Sequence, residues 1–213
     1  LHSSHRRQRQ MCIRDRVSFG HAAFVGVGAY CVGISQYYGL YNGWIHIVMA
    51  LGACGALGLV IGYLSLRTSG IYFIMITLAF AQMLFFLFVS LEQFGGDDGM
   101  SIDRAEFIII DLWEPLRLYY LIWVALTLSS ILLMFIVRSR FGVVLQAIKG
   151  NESRVEAMGL APLPFKITGY VISAMICGLA GALFASWQEY VSPDIMHWTR
   201  SGAVSYTHLT LPT

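Results

Sequence analysis

Residues 17–91 read VSFGHAAFVGVGAYCVGISQYYGLYNGWIHIVMALGACGALGLVIGYLSLRTSGIYFIMITLAFAQMLFFLFVSL, 75 residues with one charged side chain, Arg67. A water-soluble domain needs charged faces between its elements, and this stretch offers none. A bilayer accepts it, because the hydrocarbon core rewards apolar side chains and penalises Asp, Lys or Arg by roughly 2.5–3.5 kcal/mol at a helix centre. Two further charge-free runs follow, Leu118–Val137 and Ile167–Gln188. Each is close to the ~20 residues that cross a ~30 Å core. The reading is an all-α, polytopic membrane helix bundle with five spans, at about Phe19–Gln36, Trp44–Leu66, Ile71–Leu91, Leu118–Val137 and Ile167–Trp187. A β-barrel would alternate polar and apolar residues along each strand, and these runs do not.

Charge in the connections sets the expected orientation. The 138–166 connection carries Arg138, Arg140, Lys149, Arg154 and Lys166, whereas 92–117 carries seven acids with only Arg104 and Arg117. Lys and Arg mark the cytoplasmic side. Arg67 and 138–166 are therefore expected inside, and 37–43, 92–117 and 188–204 outside. The five Trp residues (44, 113, 123, 187 and 198) then gather near the outer side as an interfacial belt. Trp123 sits somewhat deep for that role.

Small residues recur in the spans at helix-packing spacing: Gly58 and Gly62 in the second, and Ala174, Gly178 and Ala182 in the fifth. Lipid tails solvate Leu as well as a neighbouring helix does, so helices in a bilayer associate by close backbone approach. The first span is richer still, with Gly20, His21, Gly26 and Gly28 close together. Gly costs about 1 kcal/mol in a helix relative to Ala, so this segment is expected to propagate a helix poorly, and broken helices in transporters expose backbone groups to substrate. These four residues are candidates for lining a solute pathway, since an intramembrane ionisable residue is a functional candidate. Ordinary helix packing for the glycines, and a headgroup contact for His21, are the competing readings.

The 138–166 connection is organised rather than loose. Phe141–Lys149 is amphipathic, Asn151 can cap a short helix over Glu152–Met158, and Gly159 can end it in the left-handed conformation. Pro162 and Pro164 prevent its continuation. A short helix held beneath a membrane suits docking in a partner's groove.

Here a family resemblance becomes specific. Ser139-Arg140-Phe141-Gly142, Ala147-Ile148-Lys149, Glu152-Ser153-Arg154 and Glu156-Ala157-Met158-Gly159 resemble the coupling loop of permease subunits of high-affinity branched-chain amino acid ABC transporters, of the LivM type. Phe19–Phe24 with Gly28-Ala29-Tyr30, Gly70–Phe73 with Thr77–Phe80, Gly95–Gly99, Ser173–Leu183 and Val191-Ser192-Pro193 resemble the same family, in order along the chain. The resemblance implies an ATP-driven importer whose 138–166 loop takes up the motion of two cytoplasmic ATP-binding subunits. It places Arg140, Gly142, Arg154, Glu156, Ala157 and Gly159 in that loop, with Glu156, Ala157 and Gly159 on its Glu-Ala-x-Gly core. It further implies a second homologous permease subunit, a periplasmic or extracellular substrate-binding protein, and leucine, isoleucine and valine as solutes. Urea or short amides are the closest alternative solutes.

The ends read differently. Residues 1–16 hold five of the fourteen Lys and Arg residues, and without them the formal charge falls from +2 to −2. Arg7–Arg16 and Ser205–Thr213 resemble translated sequencing-adapter DNA. The expected organisation is therefore a non-native segment 1–16, a truncated transmembrane permease domain 17–204, and a non-native tail 205–213. The basic balance is an end effect and gives no reason to expect nucleic acid. The sequence has no Gly-x-x-x-x-Gly-Lys-Ser/Thr phosphate loop and no hydrolase or metalloprotease motif, so the chain reads as a transport subunit and not an enzyme, with no cofactor. Cys31, Cys54 and Cys177 stand singly without metal spacing, and one acidic turn at Gly95–Gly99 is too small for a cation site. An ATP-independent secondary transporter or channel is the different-class alternative, for which only His21 offers an ion-coupling residue.

Overall fold

The computed structural model describes residues 20–68, 71–102 and 115–197. The two segments read as non-native lie outside the described residues, as do Arg104, Trp113 and Trp198. Seven α-helices are described: α1 His21–Tyr37, α2 Gly43–Ser65, α3 Ile71–Val89, α4 Pro115–Arg138, α5 Arg140–Gly150, α6 Glu152–Ala157 and α7 Pro162–Gln188. Two short strands, β1 Met100–Ser101 and β2 Tyr190–Val191, pair antiparallel with Met100 opposite Val191.

Four of these helices, α2, α3, α4 and α7, are long and apolar enough to cross a bilayer. The fifth expected span, α1, has 17 residues, or about 25 Å at 1.5 Å per residue. It is also the most enclosed helix, with ten buried residues including Phe24, Tyr30 and Val32. Despite the poor helix propensity of its glycines, α1 runs unbroken from His21 to Tyr37. Its glycines meet neighbouring elements, so packing overrides their low propensity.

Local signals set the helix ends. Asn42 caps α2, its side-chain oxygen accepting from the Trp44 N–H at 3.3 Å. The α7 helix begins at Pro162, five residues before the apolar span read from sequence. Proline is well suited to a first helical turn, where its missing N–H would have no helical partner anyway. With 27 residues α7 is about 40 Å long. It overhangs a ~30 Å core, which leaves Lys166 beyond the apolar stretch.

The bundle is built around the contacts of α7 with α1 and α2. Helices α2 and α7 run antiparallel through small residues. A Cβ on Gly178 would lie 2.4 Å from Cys54 Sγ, one on Gly58 would lie 2.8 Å from Ala174 Cβ, and one on Gly62 would lie 2.9 Å from the Tyr170 ring. Helices α1 and α7 are closer still: a Cβ on Gly28 would lie 2.1 Å from the Gly178 carbonyl oxygen, and one on Gly181 1.9 Å from that of Val25. The Cys54 thiol donates to the Phe24 carbonyl at 3.4 Å, tying α2 to α1. In contrast α4 stands apart: Leu118 is buried, but most of its apolar side chains are exposed. Between α4 and α7 lies an apolar groove of about 420 Å³, lined by Leu126, Leu183 and Trp187 among others.

The antiparallel α2–α7 seam brings Arg67 to the same end as α5 and α6, the basic end. The Arg67 guanidinium lies over the Tyr63 ring at 4.2 Å and donates to its hydroxyl. The opposite end carries Glu92, Asp97 and Asp98, with the exposed Trp44 and Trp187.

Of the 188–204 segment expected outside, 198–204 lie outside the described residues; Gln188, Glu189, Tyr190 and Asp194 are exposed at the acidic end. Val191, Pro193 and Met196 turn inward and are buried, and a 3-10 turn, Pro193–Met196, packs on α1 and α3. The Met196 side chain reaches Gly26, about 16 Å along α1 from Tyr37 at 1.5 Å per residue. Irregular backbone at such depth is tolerated where protein covers it.

Candidate functional site

Two groups of residues carry the functional expectations: the first turns of α1, and the hairpin formed by α5 and α6.

Gly20 precedes α1 and is buried. His21 opens the helix, and its Nε2 lies 2.9 Å from the Ser173 hydroxyl oxygen on α7. Its ring meets Tyr170 and Phe24 edge-on at 6.1 and 6.5 Å. His21 thus contacts α7 inside the protein at the basic end of the α1–α7 seam. Gly26 and Gly28 are buried on opposite sides of α1, because two residues on a helix of 3.6 per turn are separated by about 200°. Gly28 faces Gly178, and Gly26 faces Met196. The four candidate pathway residues are therefore not brought to one surface. His21 and Gly28 share the α7 side, and Gly26 lies under the 3-10 turn.

The hairpin begins with a tight bend after α4. A Cβ on Gly142 would lie 2.1 Å from the Val137 carbonyl oxygen and 2.7 Å from that of Ile136, so only glycine fits. Arg140 is exposed in the first turn of α5. Asn151 caps α6: its Oδ1 accepts from the Arg154 N–H at 3.2 Å and from the Ser153 hydroxyl at 2.8 Å. Gly159 stands at φ +82°, the left-handed conformation that ends a helix with little strain. Its N–H donates to the Glu156 carbonyl at 2.9 Å. Val155 is the buried residue of α6, while Arg154, Glu156, Ala157 and Met158 are exposed together.

Sequence reasoning did not find what braces this hairpin. Lys166, in the first turns of α7, forms an ion pair with Glu152. Phe141 and Phe165 approach with ring centroids 5.9 Å apart, and Leu145 lies 3.5 Å from where a Cβ would stand on Gly169. Ile148 is buried. The i, i+4, i+7 spacing of Phe141, Leu145 and Ile148 was the available signal, since it places all three on one helix face. The salt bridge had none, because its partners are fourteen residues apart on different helices. A six-residue helix does not hold itself together in isolation, so its placement rests on these contacts to α7.

Among the described residues no three His, Cys, Asp or Glu side chains come together to hold a metal ion.

Comparison with known proteins follows the same lines. A model of the family described as "Branched-chain amino acid transport system / permease component" matches residues 11–205. The high-affinity branched-chain amino acid transport system permease proteins LivM of Salmonella typhimurium (strain LT2) and Escherichia coli (strain K12) are each 29% identical to this chain, over 87% of it and 49% of their own length. The chain spans about half the length of these curated relatives. No solved structure gives a significant match. With four bilayer-length helices and a family match over nearly all of its residues, the chain belongs to the permease components of branched-chain amino acid transport systems.

Proposed function

We propose that this chain is a transmembrane subunit of an ATP-driven importer of branched-chain amino acids, and that the α5–α6 hairpin is where cytoplasmic ATPases engage it. One observation carries the coupling claim: α6 presents Arg154, Glu156, Ala157 and Met158 outward from a hairpin fixed to α7. Glu156 offers a carboxylate to a basic partner residue, Ala157 permits close approach, and Met158 supplies an adaptable apolar contact. The brace to α7 matters because α7 is the helix packed on both α1 and α2. A displacement at α6 then reaches the centre of the bundle through rigid contacts. The clustering of Lys and Arg at this end supports a cytoplasmic position, in an inner-membrane protein whose acidic end faces the periplasm. Two ATP-binding subunits, a second permease subunit and a substrate-binding protein complete the machine on this reading.

The test is uptake of radiolabelled leucine by membrane vesicles holding the assembled transporter. Glu156→Lys reverses the docking charge, and Gly159→Pro removes both the left-handed cap and its N–H. Each variant, at normal expression, is expected to lose most ATP-dependent uptake while ATP hydrolysis ceases to respond to the loaded binding protein. Unimpaired uptake by both variants would contradict the assignment.

A further inference from the structure

The face of α1 opposite Gly28 is covered in an unusual way. Gly26, Tyr30 and Gly33 follow at i, i+4 and i+7, so they form one stripe. Over it lies a cap from the acidic end, made of 95–102 and 189–197. The cap is held to itself by the β1–β2 pairing, by the Ile102 N–H donating to the Glu189 carbonyl at 2.9 Å, and by the Tyr190 hydroxyl donating to the Asp98 carbonyl. What fills the two glycine positions is methionine. A Cβ on Gly26 would lie 2.1 Å from Met196 Cγ, and one on Gly33 2.6 Å from Met100 Sδ. Between them Tyr30 is fully buried, stacked on Phe88 at 4.5 Å, and its hydroxyl has no hydrogen-bond partner among the described residues.

A buried hydroxyl left unsatisfied is costly, and a phenylalanine would pack the same ring without that cost. The hydroxyl therefore calls for a partner that the described residues do not supply. Methionine is flexible and unbranched, so the two side chains that fill the glycine positions can withdraw without breaking backbone structure. Withdrawn, they leave a notch with no side chain at 26 or 33, the Ile102 side chain at its edge beside Gly33, and Tyr30 between the two glycines. The Met196 side chain has about the bulk of a leucine side chain, and an aliphatic solute would take its place.

We infer that the Gly26–Tyr30–Gly33 face of α1 is a solute-binding notch, closed here by Met196 and Met100. Its ligand is a small amino acid with an aliphatic side chain, whose carboxylate accepts a hydrogen bond from Tyr30. Asp97, Asp98 and Asp194 are exposed on the outer surface of the cap, so an approaching solute meets a negative field that disfavours a simple anion and tolerates one that also bears an ammonium group. This inference rests on the transport reading above and adds the place and chemistry of solute contact.

The test uses a diazirine analogue of leucine in proteoliposomes holding the chain assembled with its partner subunits and binding protein. Illumination during ATP turnover is expected to cross-link the analogue to peptides containing residues 26–33 or Met196, and excess leucine to suppress the products. Tyr30→Phe is expected to lower cross-linking and leucine uptake roughly tenfold or more, as for loss of a hydrogen bond to a charged group. Its thermal stability should be unchanged or raised, because the hydroxyl bonds nothing in the closed state. Met196→Ala should admit larger side chains, so that phenylalanine competes with leucine for uptake. Uptake with cross-links elsewhere, wild-type transport by Tyr30→Phe, or loss of its stability in parallel with uptake would overturn the notch alone. Absence of ATP-driven uptake by the unmodified chain would overturn the transport reading and the notch with it.

Discussion

A glycine's meaning in this chain depends on what stands opposite it. Gly28 and Gly52 look alike as apolar-span glycines in the sequence, yet a Cβ on Gly28 would meet the Gly178 backbone, and one on Gly52 would meet nothing within 4 Å among the described residues. In a bilayer there is little hydrophobic drive between helices, so the α1–α7 seam is stabilised by the dispersion contacts that close approach permits. A methyl group at Gly28 would have to push the helices apart, and overpacking of this kind costs typically about 1–3 kcal/mol. We therefore expect Gly28→Ala to lower the thermal unfolding temperature of the purified protein in detergent. Gly52→Ala should leave it unchanged or raise it, in line with the ~1 kcal/mol helix preference for Ala. Equal effects at the two positions would contradict the packing described. The small-residue spacing of Gly58 and Gly62 was legible in the sequence because it recurs every fourth residue. The pairing of Gly28 with Gly178, and of His21 with Ser173, was not, because each partner lies about 150 residues away.

Among the elements, the least self-sufficient is α6. Its six residues are too few for stable helix formation alone, so the Asn151 cap and the contacts to α7 decide whether it stands. Asn151→Ala removes the acceptor for the Arg154 N–H, a loss of about 1 kcal/mol at a typical N-cap. Amide hydrogen exchange of residues 152–158 should then speed up about five-fold, the factor that 1 kcal/mol corresponds to, with exchange in α1 unaffected. Unaltered protection in α6 would show that the cap is not what holds it. This helix was readable in advance because its start and stop signals, Asn151 and Gly159, are local. Helix α7 was read too short because an apolar window does not register a Pro at a first helical turn. The buried turn Pro193–Met196 was missed for a different reason. Four residues carry no periodicity, and their burial depends on Gly26 and on a strand pairing that joins segments some 90 residues apart.

For the whole molecule, hydropathy was sufficient to establish the class, since nothing but a bilayer accommodates Val17–Leu91. It was also sufficient to sort the ends, because Arg67, Arg138, Arg140, Lys149, Arg154 and Lys166 gather at one and the acids of 92–98 at the other. What hydropathy could not supply was the order of packing. The structure puts the shortest apolar helix, α1, at the most enclosed position and leaves α4 nearly bare. A span's apolarity reports that it lies in lipid or protein, not which of the two it faces. On the proposed orientation these helices thread a membrane and hold the α5–α6 hairpin on the cytoplasmic side, with the acidic cap on the other. The direct measurement is labelling with a membrane-impermeant maleimide, in a chain with its four native cysteines replaced, carrying a single cysteine at Asp98 or at Ser153. Both positions are exposed, and α4 alone of the long helices separates them. Intact spheroplasts are expected to label the cysteine at position 98, and position 153 is expected to react only after the membrane is permeabilised. Labelling of both positions from the same side, or of position 153 from the outside, would contradict it.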